Sequence, residues 1–326
     1  MRVWFFVVAS LWSALAVAEF EFTRVPSEEL TQAAEADSPA LDLEKLRLAS
    51  LAAAAAPLAE GELLVDKRAD WVVPIASITK VMTALVVMDS GQPLDEWLEI
   101  LPRAYPAPAN AYSRIRIGSQ ATRRDLLTIA LMSSENLAAY QLARHYPQGY
   151  AAFIQAMNDK ARELGMHNTH FVDSTGLSAQ NTSTAADLIK LVRAAHSHPE
   201  LTDFSTRTYH RVNFRSPRYG LDYGNTNVLV HRARWDVQLS KTGYLSAAGR
   251  CLVMVAQGDG EPLVYVMLDS LGSRSPLGDA GRIRRWLETG DSGPVAQSAR
   301  QYERERSASY QPPNQPQVIR ARRSVE

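Results

Sequence analysis

Cysteine is nearly missing from this sequence: Cys251 stands alone among 326 residues. No internal disulfide is possible, so a chain of this length must be held by its core. Metal sites built on cysteine pairs are excluded, and no His-Glu-x-x-His pattern accompanies the histidines. His167, His170, His196 and His198 therefore read as solvated or hydrogen-bonded side chains, and neither a metal nor another cofactor is expected. Cys251 lies in the apolar run Cys251 to Val255 with only Arg250 as a nearby positive charge, which marks a buried thiol rather than a nucleophile. A charge excess is lacking too. Lys plus Arg and Asp plus Glu both total 35, so the basic surplus of a nucleic-acid binder is absent. Beyond the first eighteen residues, no apolar run reaches the roughly 18 residues of a membrane span.

What is present begins with an export signal. Met1-Arg2 is positive, Val3 to Val17 is almost wholly apolar, and Ala16-Val17-Ala18 offers small residues for cleavage before Glu19. We expect a signal peptide at 1–18, a mobile lead-in at 19–45, one folded domain at 46–290, and a disordered tail at 291–326. The tail is rich in Gln, Arg, Ser and Pro and short of large apolar residues, so little surface is available to offset its ordering entropy. Its arginines read as a solvated face.

Within the folded part, the alanine-rich stretch 51–56 and Leu63 to Val65 suggest a hairpin, although alanine is a poor strand former. From Ser77, an apolar stripe through Ile78, Val81, Met82 and Leu85 predicts a helix ending at Ser90-Gly91. Thr122 with Asp125, and Thr184 with Asp187, are capping pairs that open two more helices. Leu137 to Tyr146 and Tyr150 to Leu164 are helical, the latter stopped by Gly165. After residue 205 the period shortens: Val228 to Val230, Trp235 to Lys241, Arg250 to Ala256 and Leu263 to Asp269 read as strands, with a closing helix near Asp279 to Glu288. Strand pair, helices, antiparallel strands and helix in that order give an α+β fold: an antiparallel sheet flanked by helices, with an all-helical subdomain.

Three short segments carry chemistry. Ser77-Ile78-Thr79-Lys80 places a hydroxyl and an amine on one helix face. Serine becomes a nucleophile only when a base takes its proton, and lysine can serve once burial or a neighbouring cation lowers its pKa. Alone, the pattern is equally a capping serine with a surface lysine. Ser134-Glu135-Asn136 interrupts two helices, where non-helical backbone can aim side chains into a cleft. Lys241-Thr242-Gly243 ends an apolar strand, and its glycine lets a substrate backbone come close. Each pattern occurs once, in the order and settings of active-site serine penicillin-recognising enzymes. Asn225-Thr226-Asn227 reads as a cleft wall or, at least equally, as a turn before a strand.

With these motifs and the flanking stretches Pro74 to Lys80, Leu131 to Asn136, Phe171 to Leu177 and Leu239 to Tyr244, the chain resembles the D-alanyl-D-alanine carboxypeptidase and endopeptidase family of low-molecular-mass penicillin-binding proteins. The likeness spans about residues 45–290. Ala248 to Val253 is most similar to the small endopeptidase branch. The resemblance implies that Ser77 is acylated, Lys80 accepts its proton, and Ser134 relays a proton to the leaving amine. It further implies that Asn136, Lys241, Thr242 and Gly243 bind substrate, with backbone N–H groups of Ser77 and Tyr244 as the oxyanion hole. The implied partners are peptidoglycan peptides and, as covalent inhibitors, β-lactams; the implied location is the periplasm. The short segment after the last helix leaves no room for a second β domain, which favours a D,D-endopeptidase cutting D-alanyl–meso-diaminopimelyl cross-links over a carboxypeptidase. A β-lactamase would need a water-activating carboxylate that no loop offers, and a non-catalytic wall-binding module would not need all three motifs intact.

Overall fold

The computed structural model describes residues 45–104, 111–258 and 260–310, with the backbone of 319–320. The expected signal peptide and almost all of the lead-in lie outside the described residues.

In chain order the strands are β1 (Ala52–Pro57), β2 (Val65–Lys67), β3 (Val73–Pro74), β4 (Trp97–Glu99), β5 (Gln120–Thr122), β6 (Thr182–Ser183), β7 (Tyr209–Phe214), β8 (Tyr219–Gly224), β9 (Val237–Leu245), β10 (Gly249–Gln257), β11 (Pro262–Ser270) and β12 (Ile319–Arg320). The helices are α1 (Thr79–Asp89), α2 (Arg123–Met132), α3 (Asn136–Arg144), α4 (Gly149–Glu163), α5 (Ala185–His196), α6 (Pro199–Thr206), α7 (Ser275–Thr289) and α8 (Gln297–Tyr310). The main sheet runs β12-β2-β1-β11-β10-β9, antiparallel at every pairing. The fold is α+β.

The alanine strand is real because its neighbours demand it. β1 is flanked by β2 and β11 and is buried along its whole length. Ala52, Ala54 and Ala56 face the large core shared with the helical subdomain, while Ala53 and Ala55 face the second core beneath α7. Packing on both faces overrides alanine's weak strand preference. The expected caps are in place: Thr122 accepts from the N–H of Asp125, and Thr184 from that of Asp187, both at 3.0 Å.

Two expectations need correction, and one element goes beyond them. Val228 to Val230 is not a strand but part of a 3-10 turn, Val228–His231. The Asn227 side chain accepts from the N–H of Leu229 at 2.9 Å, a local bond that displaces ladder pairing. The hairpin β7–β8 was not foreseen from the sequence, although Val212 and Phe214, and Tyr219, Leu221 and Tyr223, alternate with polar or glycine positions; His210 fastens it to Asp125 at 2.8 Å. Nor is the tail disordered over 297–310, where α8 stands on the sheet. Tyr302 Oη donates to Asp269 Oδ1 at 2.6 Å, and Arg306 Nε to Oδ2 at 2.7 Å. Glu303 pairs with Arg68, whose Nη1 also reaches the Leu51 carbonyl at 3.0 Å. Besides the small contacts of Ala299 and Tyr310, charge-assisted bonds to buried groups anchor this helix, so a count of apolar residues misjudges it.

Candidate active site

Ser77 is presented by a strained turn. Ala76 adopts a left-handed φ of 47°, and Ser77 lies in the 3-10 turn Ala76–Ile78 that feeds directly into α1. Ser77 lies in the turn and Lys80 in the first turn of α1, and residues three apart share a helix face, so local backbone puts the two side chains next to each other. Lys80 Nζ is 2.9 Å from Ser77 Oγ. Thr79 Oγ1 donates to the Ala76 carbonyl at 2.8 Å and accepts from Asn181 Nδ2 at 3.0 Å, pinning the turn.

Lys80 is fully buried. Its amine has two further neighbours, Asn136 Oδ1 at 2.7 Å and the Thr175 carbonyl at 2.5 Å. Burial brings its pKa down to about 7, assisted by the charge of Arg103 and opposed by Asp173 and Glu135. A neutral amine has two N–H donors and one lone pair. Both carbonyl oxygens can only accept, so they take the donors and leave the lone pair facing the Ser77 hydroxyl. That is the arrangement in which lysine can receive a proton from serine.

The Thr175 carbonyl is held by its own loop. Asp173 Oδ1 accepts from the N–H groups of Thr175 and Gly176 at 2.6 and 2.7 Å, and Oδ2 from Ser178 N–H at 2.8 Å. Thr83 Oγ1 donates to the Ser174 carbonyl at 2.7 Å, and Ser174 Oγ to that of Ala139 at 3.2 Å, joining the loop to α1 and α3. The sequence marked 171–177 as a matching stretch but gave none of these residues a role. An Asp followed by Ser-Thr-Gly is a turn signature; that its product is a backbone acceptor for a lysine is invisible until the fold places it.

Ser77, Ser134, Asn136, Thr242, Gly243 and Tyr244 line one cleft of about 460 Å³. Ser134 holds a left-handed φ of 61° between α2 and α3, and the Glu135 side chain caps α3 by accepting from Leu137 N–H. Thr226 joins the wall, its Oγ1 2.7 Å from Thr242 Oγ1, so the 225–227 segment is both a turn and a cleft wall. Strand β9 runs against the serine turn: a Cβ on Gly243 would lie 3.2 Å from the Ile75 carbonyl oxygen and 3.2 Å from the Ser77 nitrogen. Lys241 sits behind the cleft, buried, with Nζ donating to the Thr242 carbonyl at 2.7 Å. Burial and then the nearby Lys80 charge push its pKa well below the ordinary lysine value. All eight sequence-selected residues thus converge on one place. Cys251 is the buried thiol expected, raised by burial to about 12.

The D-alanyl-D-alanine carboxypeptidase family model matches residues 40–272. The chain is 44% identical over 277 residues to a D-alanyl-D-alanine endopeptidase of Escherichia coli, covering 85% of this chain and 89% of that one. It is 48% identical over 246 residues to a D-alanyl-D-alanine endopeptidase of Pseudomonas aeruginosa, covering 76% and 79%. Among solved structures, the Streptomyces K15 DD-transpeptidase superposes with a TM-score of 0.68 at 28% identity, over 74% of this chain and 98% of that one. The chain belongs to the D-alanyl-D-alanine carboxypeptidase family of serine peptidases.

Proposed function

We propose that the chain is a periplasmic D,D-endopeptidase that hydrolyses D-alanyl–meso-diaminopimelyl cross-links of peptidoglycan through an acyl-enzyme on Ser77. The observation that carries this reading is the buried Lys80 amine, whose two carbonyl neighbours leave its lone pair for Ser77 Oγ. Ser77 Oγ attacks the D-alanyl carbonyl and its proton passes to Lys80 Nζ. The oxyanion forms against the N–H groups of Ser77 and Tyr244, an interaction of several kcal/mol in acyl transfer. The C–N bond then breaks, the leaving amine takes a proton through Ser134, and water hydrolyses the ester, returning Ser77.

Asn136 and Gly243 position the acyl side, while Lys241 and Thr242 hold the carboxylate beside the scissile amide. Lys241 suits this role because burial, and then the charge of Lys80, disfavours its protonation, and an incoming carboxylate would favour it. Endopeptidase rather than carboxypeptidase action is favoured by the relatives at 44% and 48% identity, both named endopeptidases. Export rests on the signal peptide expected at 1–18, and no helix among the described residues is long and apolar enough to cross a membrane. β-Lactams would acylate the same serine.

Fluorescent penicillin should label the mature protein stably and fail to label Ser77→Ala. Rapid release of the label would instead indicate a β-lactamase, and no label on either protein a binding module. On purified cross-linked muropeptides, conversion of dimers to monomers is expected; free D-alanine without monomers would replace the endopeptidase by a carboxypeptidase.

A further inference from the structure

The cleft does not end at the reactive serine. Past Thr242 it continues to a wall formed by Tyr244, Arg250, Leu252, Ser273, Pro276 and Leu277. Antiparallel register sets Thr242 opposite Leu252 and Tyr244 opposite Arg250. Side chains two apart share a face, so these four stand on the same side of the β9–β10 hairpin. That side is the one covered by α7, since Leu252 belongs to the core with Ala280, Ile283 and Trp286. The extension is therefore a pocket between the catalytic hairpin and the start of α7.

Its chemistry is specific. Arg250 lies 3.9 Å over the centre of the Tyr244 ring, and Tyr244 is 48% exposed. Among the described residues, the Arg250 guanidinium has neither a carboxylate partner nor a hydrogen bond, and no Asp or Glu lines the cleft. Leu277, partly exposed, gives an apolar wall beside it, with Leu252 and Pro276 buried behind. A stacked cation without a counter-ion, next to an apolar wall, fits a ligand with a methylene chain and a carboxylate.

Resting on the endopeptidase reading above, we propose that this extension is the leaving-group subsite for the acceptor stem peptide. Arg250 would pair with a carboxylate of that peptide beyond the one beside the scissile amide. A departing D-alanine has a methyl group and a single carboxylate, so it cannot use this pocket; a departing diamino-acid peptide can. Arg250 is thus a specificity-determining residue that separates cross-link cleavage from terminal trimming.

The test uses the full mature protein, as parent, Arg250→Gln and Arg250→Lys. Two readouts are taken: cleavage of purified cross-linked dimer against a D-alanyl-D-alanine-terminated pentapeptide, and slowing of fluorescent-penicillin acylation by the monomeric peptide product. We expect Arg250→Gln to lower kcat/KM for the dimer about tenfold more than for the pentapeptide, mainly through KM, as loss of a charged hydrogen bond implies. Inhibition by the monomer should weaken about tenfold, and Arg250→Lys should recover part of both. Equal losses on dimer and pentapeptide would reduce Arg250 to a support for β9 and overturn the proposal, as would a dimer/pentapeptide ratio unchanged from the parent. Should the parent fail to cut dimers at all, the endopeptidase reading falls, and the inhibition readout still decides whether Arg250 binds the peptide.

Discussion

Replacing Gly176 by alanine probes how tightly backbone positions Lys80 and Ser77, the base and nucleophile of the proposed reaction. Gly176 has a φ of 79°, where an alanine costs about 1 kcal/mol on conformation alone. The larger effect is steric. An added Cβ would lie 2.0 Å from the Ala76 carbonyl oxygen, 2.4 Å from its carbon and 2.9 Å from the Ser77 nitrogen, all of them backbone. Because Cβ contacts essentially never fall under 3.0 Å, either the serine turn or the Asp173 loop must move. The shift needed is roughly 1 Å, and a misplacement of that size at a reacting group costs about 10²-fold. Thr175, whose carbonyl holds Lys80, precedes Gly176 in the chain, so both ends of the proton-transfer pair are disturbed. Gly165→Ala is the control: its φ of 67° carries the same conformational cost, but its closest contacts would be 3.9 Å, to the ends of the His167 and Lys190 side chains. The assay is the second-order rate of fluorescent-penicillin acylation, with circular dichroism to show that both variants are folded. Gly176→Ala should lose about 10²-fold and Gly165→Ala under about threefold. Equal loss in the two, or a Gly176→Ala rate within about threefold of the parent, would refute the argument that this contact fixes the geometry.

Two further outcomes follow from charge. Lys80 must be neutral to take the Ser77 proton, so acylation should rise with pH and level off above its pKa of about 7; a flat profile from about pH 5.5 to 8.5 would remove Lys80 as the base. Linkage has the same sign. The unfolded lysine keeps its proton up to its ordinary value of 10.5 while the folded one releases it near 7, so between these values this group makes stability increase with pH. Arg306→Ala leaves the buried Asp269 carboxylate with Tyr302 alone; because Arg306 is partly exposed, we expect a loss of about 2–3 kcal/mol in urea unfolding rather than the full cost of a broken buried pair, and a loss under about 0.5 kcal/mol would show that α8 does not brace the sheet.

The sequence was informative where function depends on side chains at fixed local spacing. Ser77 and Lys80 are neighbours through one turn of backbone, and the capping pairs at Thr122 and Thr184 state their own geometry. Ser134, Asn136, Lys241 and Thr242 were recognisable as residue types, but only the fold brings α3 and β9 to the same cleft. What stayed hidden is carried by main chain. The Thr175 carbonyl and the clearance that Gly176 gives to Ala76 have no side-chain signature, although they set the amine's partners and the nucleophile's position.

The C-terminal helix shows the opposite failure, in which composition pointed the wrong way. Gln297 to Tyr310 has few apolar residues, so an argument from burial leaves it without a reason to fold. The reason lies in its partner. Asp269, next to last in β11, has a left-handed φ of 54° and a wholly buried carboxylate that burial makes costly to ionise. Arg306 and Tyr302 relieve that cost, and Arg306 Nη2 also takes the Ala247 carbonyl at 2.6 Å, in the turn joining β9 to β10. A buried acid on the sheet and a charged helix are each unfavourable alone and stabilising together. The helix therefore grips the far end of the strand that carries Lys241 and Thr242, so its order and the cleft's geometry depend on the same turn.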